Sequence, residues 1–120
     1  MIYYPDETPD PLSWAGTTLR LLGYDRNPAK LQAFVRKLFA EATSSIAIEG
    51  THVIPIALFE AMDSKNPDNY VQRVEPSVLG GRRMAEYILD HIMRSDTSAG
   101  VVTSTVNAND SGSRPPVYFS

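Results

Sequence analysis

Cysteine is absent from the 120 residues. That excludes a disulfide frame, a thiol nucleophile and a sulfur-ligated zinc, and a secreted domain of this size usually needs such a staple. Histidine occurs only twice and tryptophan once. Neither sign of charge dominates, since 11 Lys and Arg stand against 14 Asp and Glu for a formal net charge of -3. A nucleic-acid binder usually carries a dominant basic face, so binding to nucleic acid is expected to be weak or absent. Long apolar runs are missing too. The longest uncharged stretch is the Ser- and Thr-rich segment 97–109, and nothing approaches the roughly 18 to 20 apolar residues of a membrane span. No membrane partner is expected. Asp6 and Glu7 stand where a secretory signal or a transit peptide would carry bases, so the expected compartment is the cytoplasm or nucleus. What remains, at 13.3 kDa and 42% hydrophobic residues, is the size and composition of one small soluble domain.

Proline and asparagine punctuate this chain clearly. In Asp10-Pro11-Leu12-Ser13-Trp14 the aspartate can cap free N–H groups, and the proline sits where its missing donor costs nothing. A short helix is expected over residues 11–22, burying Leu12, Ala15, Leu19 and Leu22 with Trp14 beside them, and Gly23 stops it. Asn27-Pro28 repeats this grammar and opens the best periodic segment, with Leu31, Phe34, Val35, Leu38, Phe39, Ala42 and Ile46 on one stripe. The next strong stop is Gly50, so this helix could reach about 22 residues, roughly 33 Å. Residues 44–48 alternate β-branched and small side chains, and a strand could begin there instead. Emptying Phe34 or Leu38 is expected to cost about 2 to 5 kcal/mol.

After Gly50, Val53 reads as a brief extended contact, and Pro55 opens a helix of roughly 9 residues ending near Asp63. Residues 65–69 form a polar turn, and 70–76 are a connector of no clear type. A fourth helix carries Met84, Tyr87, Ile88, Ile92 and Met93, starting near Gly81, or near Ser77 if the glycine pair is tolerated. From Ser95 the composition shifts to Ser, Thr, Asn, Asp and Gly. Residues 101–106 and 116–119 could pair as a hairpin, and a disordered tail is the equal alternative. The organisation is thus a helical domain over residues 1–95 followed by a tail or hairpin over 96–120. The fold class is mainly α.

Candidate chemistry is sparse. His52 and His91 lie in different elements without a third ligand, so no metal is expected and no cofactor is implied. Gly80-Gly81-Arg82-Arg83, at a helix entrance, is the nearest approach to an anion or nucleic-acid site, because free N–H groups and two guanidiniums could hold phosphate. It lacks the lysine and hydroxyl of a nucleotide loop. Ser13, Ser44 and Ser45 have no base at a predictable spacing, and no matched acid, base and nucleophile set indicates an enzyme.

A short helix, a long helix with an apolar stripe, an extended residue and a second short helix form an order that resembles the histone fold. Glu41-Ala42 followed by Ala61-Met62 resembles the acid-alanine and alanine-leucine pairs of core histones and of histone-like transcription-factor subunits. Thr51, Val53 and Pro55 resemble that family's second loop. The similarity covers residues 11–63. Ala57 stands where the family commonly has an acid, and Glu49, Gly50 and Thr51 replace its basic residues near the second loop. The resemblance therefore implies a pairing subunit of a nuclear or transcriptional complex, as a heterodimer or self-pair, more than a DNA-wrapping histone. Its interface would be Leu31, Phe34, Val35, Leu38, Phe39, Ile46, Val53 and Leu58, and its partner itself or a histone-fold-like protein. The alternative is a winged helix-turn-helix regulator, with residues 101–119 as the wing and Arg82, Arg83 and Arg94 as contacts.

Overall fold

The structure, a computed structural model, describes residues 2–108, with side chains described through residue 97. It is mainly helical: α1 spans Trp14–Leu21, α2 Pro28–Glu41 and α3 Val78–Ala108. A two-stranded antiparallel hairpin, β1 (Tyr70–Val71) and β2 (Glu75–Pro76), precedes α3 and pairs Tyr70 with Pro76 and Val71 with Glu75. Single 3-10 turns lie at Thr43–Ser45, Leu58–Glu60 and Pro67–Asn69.

α1 starts later than expected because Ser13, not Asp10, is its cap. The Ser13 hydroxyl accepts from Ala15 N at 3.2 Å, while the Asp10 carboxylate accepts from Leu12 N in the preceding turn. At the other end Gly23, at φ +77, lets Tyr24 N reach Leu19 O and Gly23 N reach Arg20 O. This paired closure folds the residue after the glycine back onto the last turn. Tyr24 thereby joins Ala15 and Leu19 in one buried cluster, with Leu31 and Val74 against it. Leu12, 93% exposed, and Leu22, 65% exposed, are outside it. With Leu12 ahead of the helix and Leu22 at its C-cap, the expected buried set reduces to Ala15 and Leu19.

α2 begins at Pro28 as expected, although the Asn27 side chain makes no cap bond. It is 14 residues long, not about 22. Serine hydroxyls end it: Ser44 Oγ donates to Phe39 O, and Ser45 Oγ donates to Glu41 O and Ala42 O. Hydroxyls so close in sequence compete for helix carbonyls, and the chain tightens into Thr43–Ser45 before leaving in an extended conformation at Ile46 (φ -67, ψ 120).

The expected helix after Pro55 is a single 3-10 turn at Leu58–Glu60. Ala57, at φ -76 and ψ 72, is the centre of an inverse γ-turn in which Leu58 N donates to Ile56 O. That turn breaks the helix before it can start. The longest helix is therefore the last one and not the central one. α3 begins at Val78 with Ser77 as its cap, Gly80 N donating to Ser77 Oγ at 3.1 Å. The glycine pair is tolerated for a packing reason, since a Cβ at Gly80 would collide with the Asn69 carbonyl oxygen. The connector 70–76 is the hairpin. Residues 101–106, one arm of the expected terminal hairpin, belong to α3. The other arm, 116–119, lies outside the described residues.

Leu58, Met62, Tyr70 and Met84 form the second buried cluster, covered by Tyr3, Ala61, Tyr87 and Ile88. The N-terminal segment seals it. Tyr3, Tyr24 and Tyr70 hydroxyls donate to the carbonyls of Val74, Pro5 and Tyr4 at 2.7, 2.7 and 2.8 Å. Asp6 N donates to Arg73 O and Glu7 N to Ser64 O, and the Tyr4 ring stacks on Phe59 at 5.2 Å. The hairpin loop holds two residues at positive φ, Gln72 (53) and Arg73 (70). Side chains away from glycine rarely adopt this conformation, and contacts fix it here. Ser13 Oγ donates to Gln72 O, Trp14 N to Gln72 Oε1, and Arg73 Nη2 to Asp6 O.

Candidate functional site

Beyond α2 the chain makes an exposed excursion in which every residue from 44 to 52 is exposed. Its tip is a four-residue turn where Thr51 N and Thr51 Oγ1 both donate to Ile48 O, at 3.1 and 2.9 Å. Gly50 at φ +74 fills the third position, which a type II turn reserves for a left-handed residue. The return limb then runs to α3, where His52 Nε2 lies 3.1 Å from Ser95 Oγ.

An apolar groove of about 490 Å3 opens between these elements. Phe39, Thr43 and Ile46 contribute from the end of α2 and the outgoing limb, and Val53, Ile54, Pro55 and Ile56 from the return limb. Leu58, Ile88 and Ile2 complete the lining. Its volume suits a small molecule, but such sites also converge several polar groups on the ligand. Here the lining side chains offer one hydroxyl, Thr43, and nothing titratable. The groove can take up apolar side chains and supplies no acid, base or nucleophile.

Four of the eight expected interface residues, Phe39, Ile46, Val53 and Leu58, come together around this groove. The remainder of the stripe divides. Val35 is buried and Leu31 packs against the α1 cluster, whereas Phe34 is 62% exposed and Leu38 38% exposed on another side of α2. At the entrance to α3, Arg82 is exposed and Arg83 half-buried. The Gly80 and Gly81 amides beside them are occupied by Ser77 Oγ and Ser77 O, so those two N–H groups are not offered to an anion. Arg94 pairs with Asp90 at 2.7 Å. Of the wing expected from residues 101–119, residues 101–108 are helix and the rest lies outside the described residues.

His91 Nδ1 lies 2.8 Å from Tyr87 O, while His52 meets Ser95 one turn further along α3. Among the described residues no three His, Asp or Glu side chains group as a metal would require. The displaced ionisations belong to tyrosines outside the groove lining. Burial pushes Tyr24 up to about 12 and Tyr70 further still, and it also raises Tyr3. Tyr87 is raised by burial and then by its hydrogen bond to Glu60. Among these, Tyr3, Tyr24 and Tyr70 donate to backbone carbonyls, which suits structural rather than reactive groups.

Sequence reasoning missed two further apolar faces. Trp14, Leu21 and Leu22 stand exposed on and just after α1, and Leu89, Ile92 and Met93 stand exposed on α3. The signal was present in α1: apolar residues at 14, 15, 19, 21 and 22 surround an eight-residue helix too widely to be buried on one side. Among the described residues no helix is long and apolar enough to cross a membrane. No family model, curated protein or solved structure matches the chain.

Proposed function

We propose that this chain is a non-enzymatic protein–protein interaction subunit, which pairs with itself or with a partner protein to build a larger assembly. One observation carries the reading: among the described residues, more of the large apolar side chains are exposed than buried. Apart from Leu12 ahead of α1 and Val71 on β1, they fall on three surfaces, α1 with Leu22, α2 with its following limb, and α3. Scattered exposed leucines are ordinary, but clustered apolar faces mark contact sites. Covering them gains roughly 25 cal/mol per Å2 of apolar area. The nuclear and transcriptional setting is what the resemblance over residues 11–63 implies; there α2 is 14 residues long and a single 3-10 turn follows Pro55, and pairing is proposed without that setting.

Photocrosslinking in the cells that make the protein tests this. A photoreactive side chain placed at Leu22, Phe34 or Met93 is expected to give a discrete adduct with another polypeptide, and one placed at the exposed Lys65 is not. Absence of an adduct at all three apolar positions contradicts the proposal.

A further inference from the structure

Residues 46–56, between the 3-10 turn at Thr43–Ser45 and the inverse γ-turn at Ala57, form a strap that the rest of the chain holds weakly. None of them is fully buried. Among the described residues one hydrogen bond ties them to the chain outside 43–58, that between His52 Nε2 and Ser95 Oγ at 3.1 Å. The others, to Thr43 O, Ile48 O and Ile56 O, stay within the strap and its two flanking turns. A stretch with few buried contacts and no backbone bonds to its neighbours sits at the low end of local opening free energy. Behind it the packing is tight, since Leu58 is 2% exposed and shares the groove lining with Val53, Ile54 and Ile56 of the strap.

The strap meets α3 twice. Ile88 lines the groove together with its return limb, and Ser95 takes His52. Ile88, Ile92 and Ser95 follow one another by four and three residues, so they share one face of α3 over roughly 10 Å. Ile92, on that face, is 41% exposed. At the ends of the strap, Ile46 is the C-cap of one 3-10 turn and Ala57 the N-cap of the next. Element-terminal positions of this kind absorb the φ/ψ change of a hinge.

We propose that residues 46–56 are a releasable flap, latched to α3 by His52 and Ser95, whose opening extends the short apolar groove into a longer apolar face along α3 from Ile88 past Ile92. Closed, the flap withholds this part of α3 from contact; open, it releases it. The proposal deepens the interaction reading above, on which the use of the flap as a gate rests. The opening itself needs no partner and is measured without one.

The absence of cysteine allows the opening to be read from one introduced thiol. Leu58→Cys lies behind the flap, and Ala15→Cys, at a position 3% exposed, lies in the α1 cluster away from it. Well below the unfolding midpoint, a maleimide is expected to modify Leu58→Cys at a rate almost independent of urea, because a local opening exposes little surface. Ala15→Cys is expected to react at a rate that climbs with the full unfolding slope. Removing the latch by His52→Ala or Ser95→Ala is expected to speed modification of Leu58→Cys about two- to tenfold, the span of one hydrogen bond, with the shallow urea dependence kept. The double variant should go no further than either alone. If Leu58→Cys fails to fold, judged by circular dichroism, Ile88→Cys with a bulky maleimide takes its place. Modification of the thiol behind the flap with the slope of global unfolding, or at a rate indifferent to both latch variants, overturns the proposal. Photoadducts at Leu22, Phe34 or Met93 that persist beside such a result confine the failure to the flap. Absent photoadducts beside latch-sensitive modification remove the interaction reading and leave the flap standing.

Discussion

The Arg73 guanidinium lies 2.8 Å from the Asp25 carboxylate, with the arginine side chain 1% exposed and the aspartate 17% exposed. The pair joins the hairpin loop to the turn between α1 and α2, and Arg73 also donates to Asp6 O at 3.0 Å. Three segments distant in sequence thus meet on one buried cation. Its Nε and Nη1 find no further partner among the described residues, so the cation depends heavily on these two contacts.

Arg73→Ala leaves Asp25 without its partner in a partly buried place. It is expected to destabilise by about 3 to 5 kcal/mol, as broken buried pairs do, measured by urea denaturation. Arg73→Lys is expected to recover only part of this, because an ammonium cannot keep the planar reach to both Asp25 and Asp6.

Leu58 and Phe34 separate core from contact surface. Leu58 is 2% exposed, and Leu58→Ala is expected to cost about 2 to 5 kcal/mol. Phe34→Ala, contrary to the expectation from periodicity, is expected to stay within about 0.5 kcal/mol for the dilute monomer, as exposed substitutions do. Chemical denaturation of both variants at the same low concentration makes the comparison.

The start of α2 at Pro28, the Ser77 alternative for α3 and the stop at Gly23 were legible in the sequence because those signals are local, whereas Asp10-Pro11 and Pro55 offered the same signals and no α-helix starts at either. The end of α2 was not legible. Ala42 and Ile46 continue the apolar spacing, while Ser44 and Ser45 defeat it through hydroxyl bonds that spacing does not display. The run 101–106, β-branched except at Ser104, misled in the opposite sense, since a helix already growing from Val78 can absorb a run that alone favours a strand. The stripe on α2 showed which residues are apolar but not which would be covered. That depends on Tyr24, Tyr70 and Arg73, whose partners lie tens of residues away. Half of the expected interface set reached the groove, and of its opposite wall Ile56 was hidden in a segment read as helix, while Ile54 was passed over as the residue leading into Pro55.

Alkaline pH is expected to unfold the protein early. Burial raises the Tyr24 phenol to about 12 and the Tyr70 phenol further, against about 10 in an unfolded chain. The folded state therefore retains protons that the unfolded state releases. That stabilisation is complete below about pH 10 and is lost as pH rises toward 12. The urea midpoint should be flat from about pH 8 to 9 and fall above about 10, with phenolate absorbance and loss of helix rising together. Tyr24→Phe should weaken the pH dependence, and an unchanged fall in that variant would remove Tyr24 from the explanation.

Sedimentation velocity of the full chain, alone and across micromolar concentrations, bears most directly on whether the molecule is built to pair. The weight-average mass is expected to rise above the 13.3 kDa monomer toward twice that value with increasing concentration. A single 13.3 kDa species at every concentration would contradict self-pairing and leave only a different partner protein for the exposed faces.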